Sequence, residues 1–143
     1  MTVGRTEISP AELVRDVLVR LGWPDVAPGG VVVGPATDAQ QQLGVVSIVQ
    51  AGLPQIEDYS PLQWMRAQVR CLAGTLDAAD RISFAVQREL HGRDRTIARM
   101  ASTDQRYLVH QIRVTAGPSN HYDSQGTWEA LLFAELMIGT EPL

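Results

Sequence analysis

Apolar and polar positions follow two different periods along this chain, and the switches between them mark its elements. From Leu62 to Ala73 the period is two. Met65, Ala67, Val69 and Cys71 alternate with Trp64, Arg66, Gln68 and Arg70, the pattern of a strand with one buried face. Gly74 and Thr75 interrupt the run, and Thr75 stands where a helix N-cap belongs. From Leu76 to His91 the apolar residues return at helical spacing, at Leu76, Ala79, Ile82, Val86 and Leu90, before Gly92 takes the place of a C′ glycine. Residues 62–92 therefore predict a strand and an amphipathic helix, each with a face to bury against the other, and the rest of the chain is arranged around them.

A further helix is predicted over Ser9–Leu21. Ser9-Pro10-Ala11-Glu12 supplies an N-cap serine, a proline at the first helical position and a capping-box glutamate. Leu13, Val14, Val17, Leu18 and Leu21 form its apolar stripe; Gly22 and Pro24 end it, with Trp23 folding over the end. Residues 24–61 read as loop-rich, punctuated by Pro28-Gly29-Gly30 and Gly34-Pro35. Val31–Val33 can form a short edge strand there, Val45–Ala51 is a better strand, and Leu53–Pro61 is a polar loop. Closing strands are predicted within 95–138. Arg95–Met100 comes first, then Arg106–Thr115, with Leu108, His110, Ile112 and Val114 on its apolar side against Tyr107, Val109, Gln111 and Arg113. A loop over Ala116–Gly126 leads to a last strand over Thr127–Ile138. The expectation is one α+β domain over 1–143: a mixed, mainly antiparallel sheet with the N-terminal helix and the second amphipathic helix on one face.

Composition narrows the chemistry. The 143 residues carry 45% hydrophobic and 20% charged residues, ordinary for a globular chain long enough to bury a core. All 12 basic residues are arginine, so mechanisms that need a P-loop lysine or a Schiff-base lysine are excluded. Cys71, the lone cysteine, falls on the apolar side of its strand and reads as a small core residue in a reducing compartment. The N-terminus lacks a signal-peptide core, and the longest apolar run, Leu131–Ile138, is interrupted by Glu135, so a soluble protein made inside the cell is expected, with no membrane contact.

No catalytic, metal or cofactor site is expected. Ser119-Asn120-His121-Tyr122-Asp123-Ser124 holds a hydroxyl, an imidazole and a carboxylate, yet within one turn-rich segment, whereas a nucleophilic site draws its members from separate elements. His121 and Asp123 with His91 or His110 have no recognisable ligand spacing, and His110 reads as a hydrogen-bonded core residue. Arg66 and Arg70 share a strand face with Trp64, and Arg113 can join them, as in single-strand nucleic-acid binders. The net charge of −4, with Glu129 and Glu135 expected near that face, favours an arginine–carboxylate surface facing solvent or another subunit. Phe84 lies roughly 140° around the helical wheel from its stripe, among Asp80, Arg88 and His91. Either another part of the chain covers it or it contacts a second subunit.

The order of parts resembles a known family. The capped first helix and Pro/Gly loops lead to Leu62-Gln-Trp-Met-Arg-Ala-Gln-Val-Arg-Cys-Leu-Ala-Gly-Thr75. Asp77-Ala-Ala-Asp80, a helix ending Glu89-Leu-His-Gly92, Ile112-Arg-Val-Thr-Ala-Gly-Pro118 and the closing strand follow. In layout over residues 9–138 this is similar to the tail-terminator proteins of long-tailed bacteriophages, also described as minor capsid or minor tail proteins. The resemblance implies a structural virion protein, made in the host cytoplasm, whose copies form a hexameric ring on the head-proximal end of the tail tube. That ring halts polymerisation of the major tail protein and meets a head-side connector, and DNA passes through its lumen without sequence-specific binding. On this expectation Arg66, Arg70, Arg113, Glu129, Glu135 and Phe84 are candidates for contacts between subunits. Glu57, Asp58, Tyr59, Ser119, His121, Tyr122 and Asp123 are candidates for axial contacts. A head-completion or connector protein of the same phage neck is the alternative.

Overall fold

A computed structural model describes residues 8–20, 27–51, 62–122 and 126–143, with 116–122 described as backbone. The elements, in chain order, are α1 (Pro10–Arg20), β1 (Val31–Val33), α2 (Asp38–Leu43), β2 (Val45–Gln50), β3 (Leu62–Ala73), α3 (Leu76–Leu90), β4 (Asp94–Arg99), β5 (Arg106–Tyr122) and β6 (Trp128–Gly139). The strands form a six-stranded sheet in the order β1-β2-β3-β6-β5-β4, in which β1 pairs with β2 in parallel and every other pairing is antiparallel. The protein is thus α+β, with a mixed and mainly antiparallel sheet.

The strand–helix unit forms as its pattern requires. Met65, Ala67, Val69 and Cys71 are buried, while Trp64 and Arg66 lie exposed on the other face. Opposite them α3 buries Ala79, Ile82, Ala85, Val86 and Leu90, and the two sets share one core. Thr75 caps α3 by accepting from the Ala78 N–H at 3.2 Å. Leu76 departs from expectation: it is 37% exposed, because the buried stripe is centred on Ile82 and Val86 and runs through Ala85 and Ser83 instead. Beyond His91, Gly92 adopts φ +80°, a left-handed conformation that suits glycine.

Helix α1 buries Leu13, Val14, Val17 and Leu18 and packs against both β1 and β4, the two edges of the sheet. The sheet therefore curls around the helices, and α1 closes the gap between its edges. Polar side chains of α1 satisfy edge backbone groups: Arg15 donates to the Val31 carbonyl (3.1 Å), Arg20 donates to the Ile97 carbonyl, and Asp16 accepts from the Arg99 N–H (2.9 Å). These contacts occupy groups that an open edge would offer to another strand. The expected capping box forms only in part. Ser9 accepts from the Glu12 N–H at 3.3 Å, but the Glu12 carboxylate accepts from the N–H and hydroxyl of Ser102, tying α1 to the β4–β5 turn. Leu21 and Trp23 lie outside the described residues.

Two further corrections concern loops. Within the stretch 24–61, α2 was not foreseen. It is six residues long and buries none of them, so it has no apolar period to read; its start is a capping box between Thr37 and Gln40. Gly29 lies against its end, where a Cβ would come within 2.7 Å of the carbonyl oxygens of Gln40 and Gly44. The expected loop over 116–126 is mostly strand: β5 continues to Tyr122, with Ser119 opposite Leu131 and His121 opposite Glu129. Three register shifts, at Val109/Gln111, Val114/Ala116 and Ala116/Ser119, let Gly117 and Pro118 be accommodated and coil the strand. The first of them also reverses the side-chain phase. Tyr107 (2%) and Val109 (0%) are buried with Ile112, and Leu108 and His110 are half-buried, so His110 is not the core residue expected.

Candidate functional site

Both α1 and α3 pack on one face of the curled sheet, so among the described residues the other face is bare across β3, β6 and β5. Side chains there come from alternate positions: Trp64, Arg66, Gln68 and Arg70 from β3, Glu129, Leu131, Phe133, Glu135 and Met137 from β6, and Arg113 from β5. The intervening residues of β6, Ala130, Leu132, Ala134, Leu136 and Ile138, are buried to within 1% of complete.

Register explains how the charges meet. Glu135 lies directly opposite Arg66 on one side and Arg113 on the other. Its carboxylate goes to Arg113, at 3.4 Å. Arg70 reaches diagonally to Glu129 and grips it with two bonds, Nε–Oε1 at 3.0 Å and Nη2–Oε2 at 2.9 Å, the fork geometry that arginine offers and lysine does not. Two arginines also lie over aromatic rings. The Arg66 guanidinium is 4.2 Å from the centroid of Phe133, and that of Arg113 is 4.5 Å from Trp64, across the width of β6. Five of the six residues expected at subunit contacts, Arg66, Arg70, Arg113, Glu129 and Glu135, are brought together on this one face. The sixth, Phe84, stands apart on the outer side of α3 with 61% of its surface exposed, so the described chain does not cover it.

Sequence reading missed Phe133, Leu131 and Met137, which give this face its apolar floor. The β6 segment is nearly all apolar, which hides its phase. The small residues Ala130 and Ala134, at even positions beneath the helices, were the available signal.

Of the seven residues proposed for axial contacts, the described backbone includes three. Ser119, His121 and Tyr122 lie on β5, and Glu57, Asp58, Tyr59 and Asp123 fall outside the described residues. Among the described residues no three His, Cys, Asp or Glu side chains converge in a way that could hold a metal. His91 is engaged in backbone support: its Nδ1 accepts from the Val114 N–H at 3.0 Å. Cys71 is fully buried, and burial, reinforced by the charge of Glu129, pushes its thiol well above the ordinary value. Such a thiol is a poor nucleophile. An open groove between α1, β1 and the start of the β4–β5 turn is lined by Glu12, Arg15, Asp16 and Arg99, but the first three hold the sheet edges and that turn to the helix, and the Arg99 guanidinium is paired with Asp104. No helix of the described residues is long and apolar enough to cross a membrane.

Comparison with known proteins gives a likeness of fold. The chain is similar to one chain in the solved virion of a native gene transfer agent (GTA) particle. The TM-score is 0.67 at 10% sequence identity, and the match covers 91% of this chain and 94% of that one. No family model matches the sequence, and no curated protein matches it. At this identity the likeness establishes the shared architecture. It extends over almost the whole of both chains.

Proposed function

We propose that this chain is a structural virion protein of a phage-like particle and, more specifically, a tail terminator. Copies would form a ring, hexameric by resemblance to the tail-terminator family, on the head-proximal end of the tail tube. The ring would block addition of further major tail protein and offer a docking surface to the head-side connector. DNA would pass through the lumen without sequence-specific contact, and a net charge of −4 suits such a conduit because it repels phosphate. On this reading the chain is not an enzyme and carries no cofactor.

The observation that carries the reading is the nearly end-to-end fold likeness to a virion chain. The bare, half-apolar sheet face adds to it, since a face of this kind is a natural contact surface for another protein. The test is to delete the reading frame from the particle-producing genome and image the tails. Overlong tubes of variable length, unattached to filled heads, are expected. Tails of normal length with impaired head joining would instead assign the chain to head completion, as a connector of the neck.

A further inference from the structure

The proposed ring requires each subunit to present two different surfaces, because a head-to-tail interface joins unlike patches. The protein has two exposed, partly apolar surfaces on opposite sides of its layers. One is the bare sheet face, floored by Trp64, Phe133 and Met137. The other is the outer side of α3, where Phe84 projects from the middle of the helix. Asp80 and Asp77 lie one and two turns before Phe84 on that side, and Arg88 one turn after it.

Their charges are complementary in a specific way. Three arginines, Arg66, Arg70 and Arg113, meet two glutamates on the sheet face. Arg70 holds Glu129 and Arg113 holds Glu135. Arg66 is left over an aromatic ring with no carboxylate partner among the described residues. Asp77 and Asp80 likewise form no ion pair there. One surface thus holds a guanidinium short of an acid, set among aromatic and thioether side chains. The other holds Asp77 and Asp80, neither in an ion pair among the described residues, beside an exposed phenyl ring, with Arg81 and Arg88 along the same side.

We infer that the outer face of α3 in one copy docks on the bare sheet face of the next, with Phe84 against the Trp64–Phe133–Met137 floor and Asp77 or Asp80 reaching Arg66. This rests on the ring reading and names its lateral contact. Aromatic residues and arginine are the types that most often dominate binding energy at interfaces, and Phe84 and Arg66 are the central candidates. Because the joined surfaces lie on opposite sides of the subunit, the contact propagates from copy to copy until a ring closes. It does not stop at a symmetric dimer.

Cysteine trapping tests this even when association in solution is weak. Gln68→Cys places a thiol on the sheet face and Arg81→Cys one on the helix face, both beside the docking residues without replacing them; buried Cys71 stays out of reach. Under mild oxidation a mixture of the two single variants should give a disulfide-linked heterodimer in clear excess over either variant alone. A chain carrying both substitutions should give a ladder that ends at the size of the closed ring. Phe84→Asp added to that chain should weaken self-association by about tenfold or more, and Arg66→Glu combined with Asp77→Arg and Asp80→Arg should restore trapping that Arg66→Glu alone abolishes. Cross-linking of Gln68→Cys mainly to itself would overturn the proposal in favour of a symmetric pairing. So would trapping no greater than that of a control pair on the β4–β5 turn. Tail length in the deletion strain is read independently, so the ring reading can stand while this contact fails, and the reverse.

Discussion

The two faces of the central strands are made by the same backbone from alternating residues, yet they are chemically opposite. On the helix side, Ala67, Val69, Ala130, Leu132 and Leu136 are all 0–1% exposed and form one continuous apolar core with α1 and α3. On the bare side, Trp64, Arg66, Arg70, Arg113, Glu129, Phe133 and Glu135 interleave aromatic rings with ion pairs, and Trp64 keeps 38% of its surface in water. The helix face is built to exclude water permanently. The bare face satisfies most of its charges internally at little cost in solution and can still be covered, because paired charges and stacked guanidinium groups lose less on desolvation than isolated ones. One side of the sheet specifies the fold, and the other is free to specify a partner.

The sharpest way to break that contrast is to place the same kind of change on each side. Val69→Asp puts a carboxylate into the core opposite α3, and its loss of stability should reach at least about 4 kcal/mol. The expected observation is no cooperative unfolding transition by circular dichroism; a folded variant with a native-like midpoint would mean that this face is not the core.

An intermediate effect comes from pH. Burial raises the Cys71 thiol above its ordinary value of 9.0 and also raises the Tyr107 phenol above 10.0. Both groups are neutral when protonated, so the folded state keeps its full stability below 9.0. Above that pH the thiol of the unfolded chain ionises first and stability falls, by up to about 1.4 kcal/mol per pH unit, and the Tyr107 phenol adds to the decline only above 10.0. Denaturant midpoints measured from pH 7 upward should therefore decline beyond pH 9, and Cys71→Ala should flatten the first part of the decline. An alkaline limb identical in the variant would show that the thiol does not contribute.

The smallest effect on stability is expected on the bare face. Arg66 makes one ring contact and no ion pair among the described residues, so Arg66→Ala should cost no more than about 1 kcal/mol of monomer stability. Its effect should appear in assembly instead, as weaker self-association by sedimentation. A variant that unfolds readily yet assembles normally would place Arg66 with the core residues and remove the distinction between the faces.

Local pattern alone determined a good part of this protein. The alternation of Met65 to Cys71, the Thr75 cap, the Ile82–Val86–Leu90 stripe and the helix of Leu13 to Leu18 follow from period and capping chemistry, which act over a few neighbouring residues. So did the side of β3 on which Arg66 and Arg70 stand, once Val69 was placed inside. What the sequence did not disclose depended on contacts between distant residues. The register shift at His110 exchanges the two faces of β5, because one extra residue against β6 reverses the phase of those that follow. Strand β5 runs through Gly117 and Pro118, against their local preference for a turn, because β6 supplies a partner along that length. Glu12 leaves its capping box for Ser102, 90 residues away. Which glutamate pairs with which arginine was likewise set by strand order and register: β6 lies between β3 and β5, placing Glu135 between Arg66 and Arg113 and Phe133 beneath Arg66. Short-range rules act on neighbours in sequence, whereas the composition of the bare face was decided by which strands became neighbours in space.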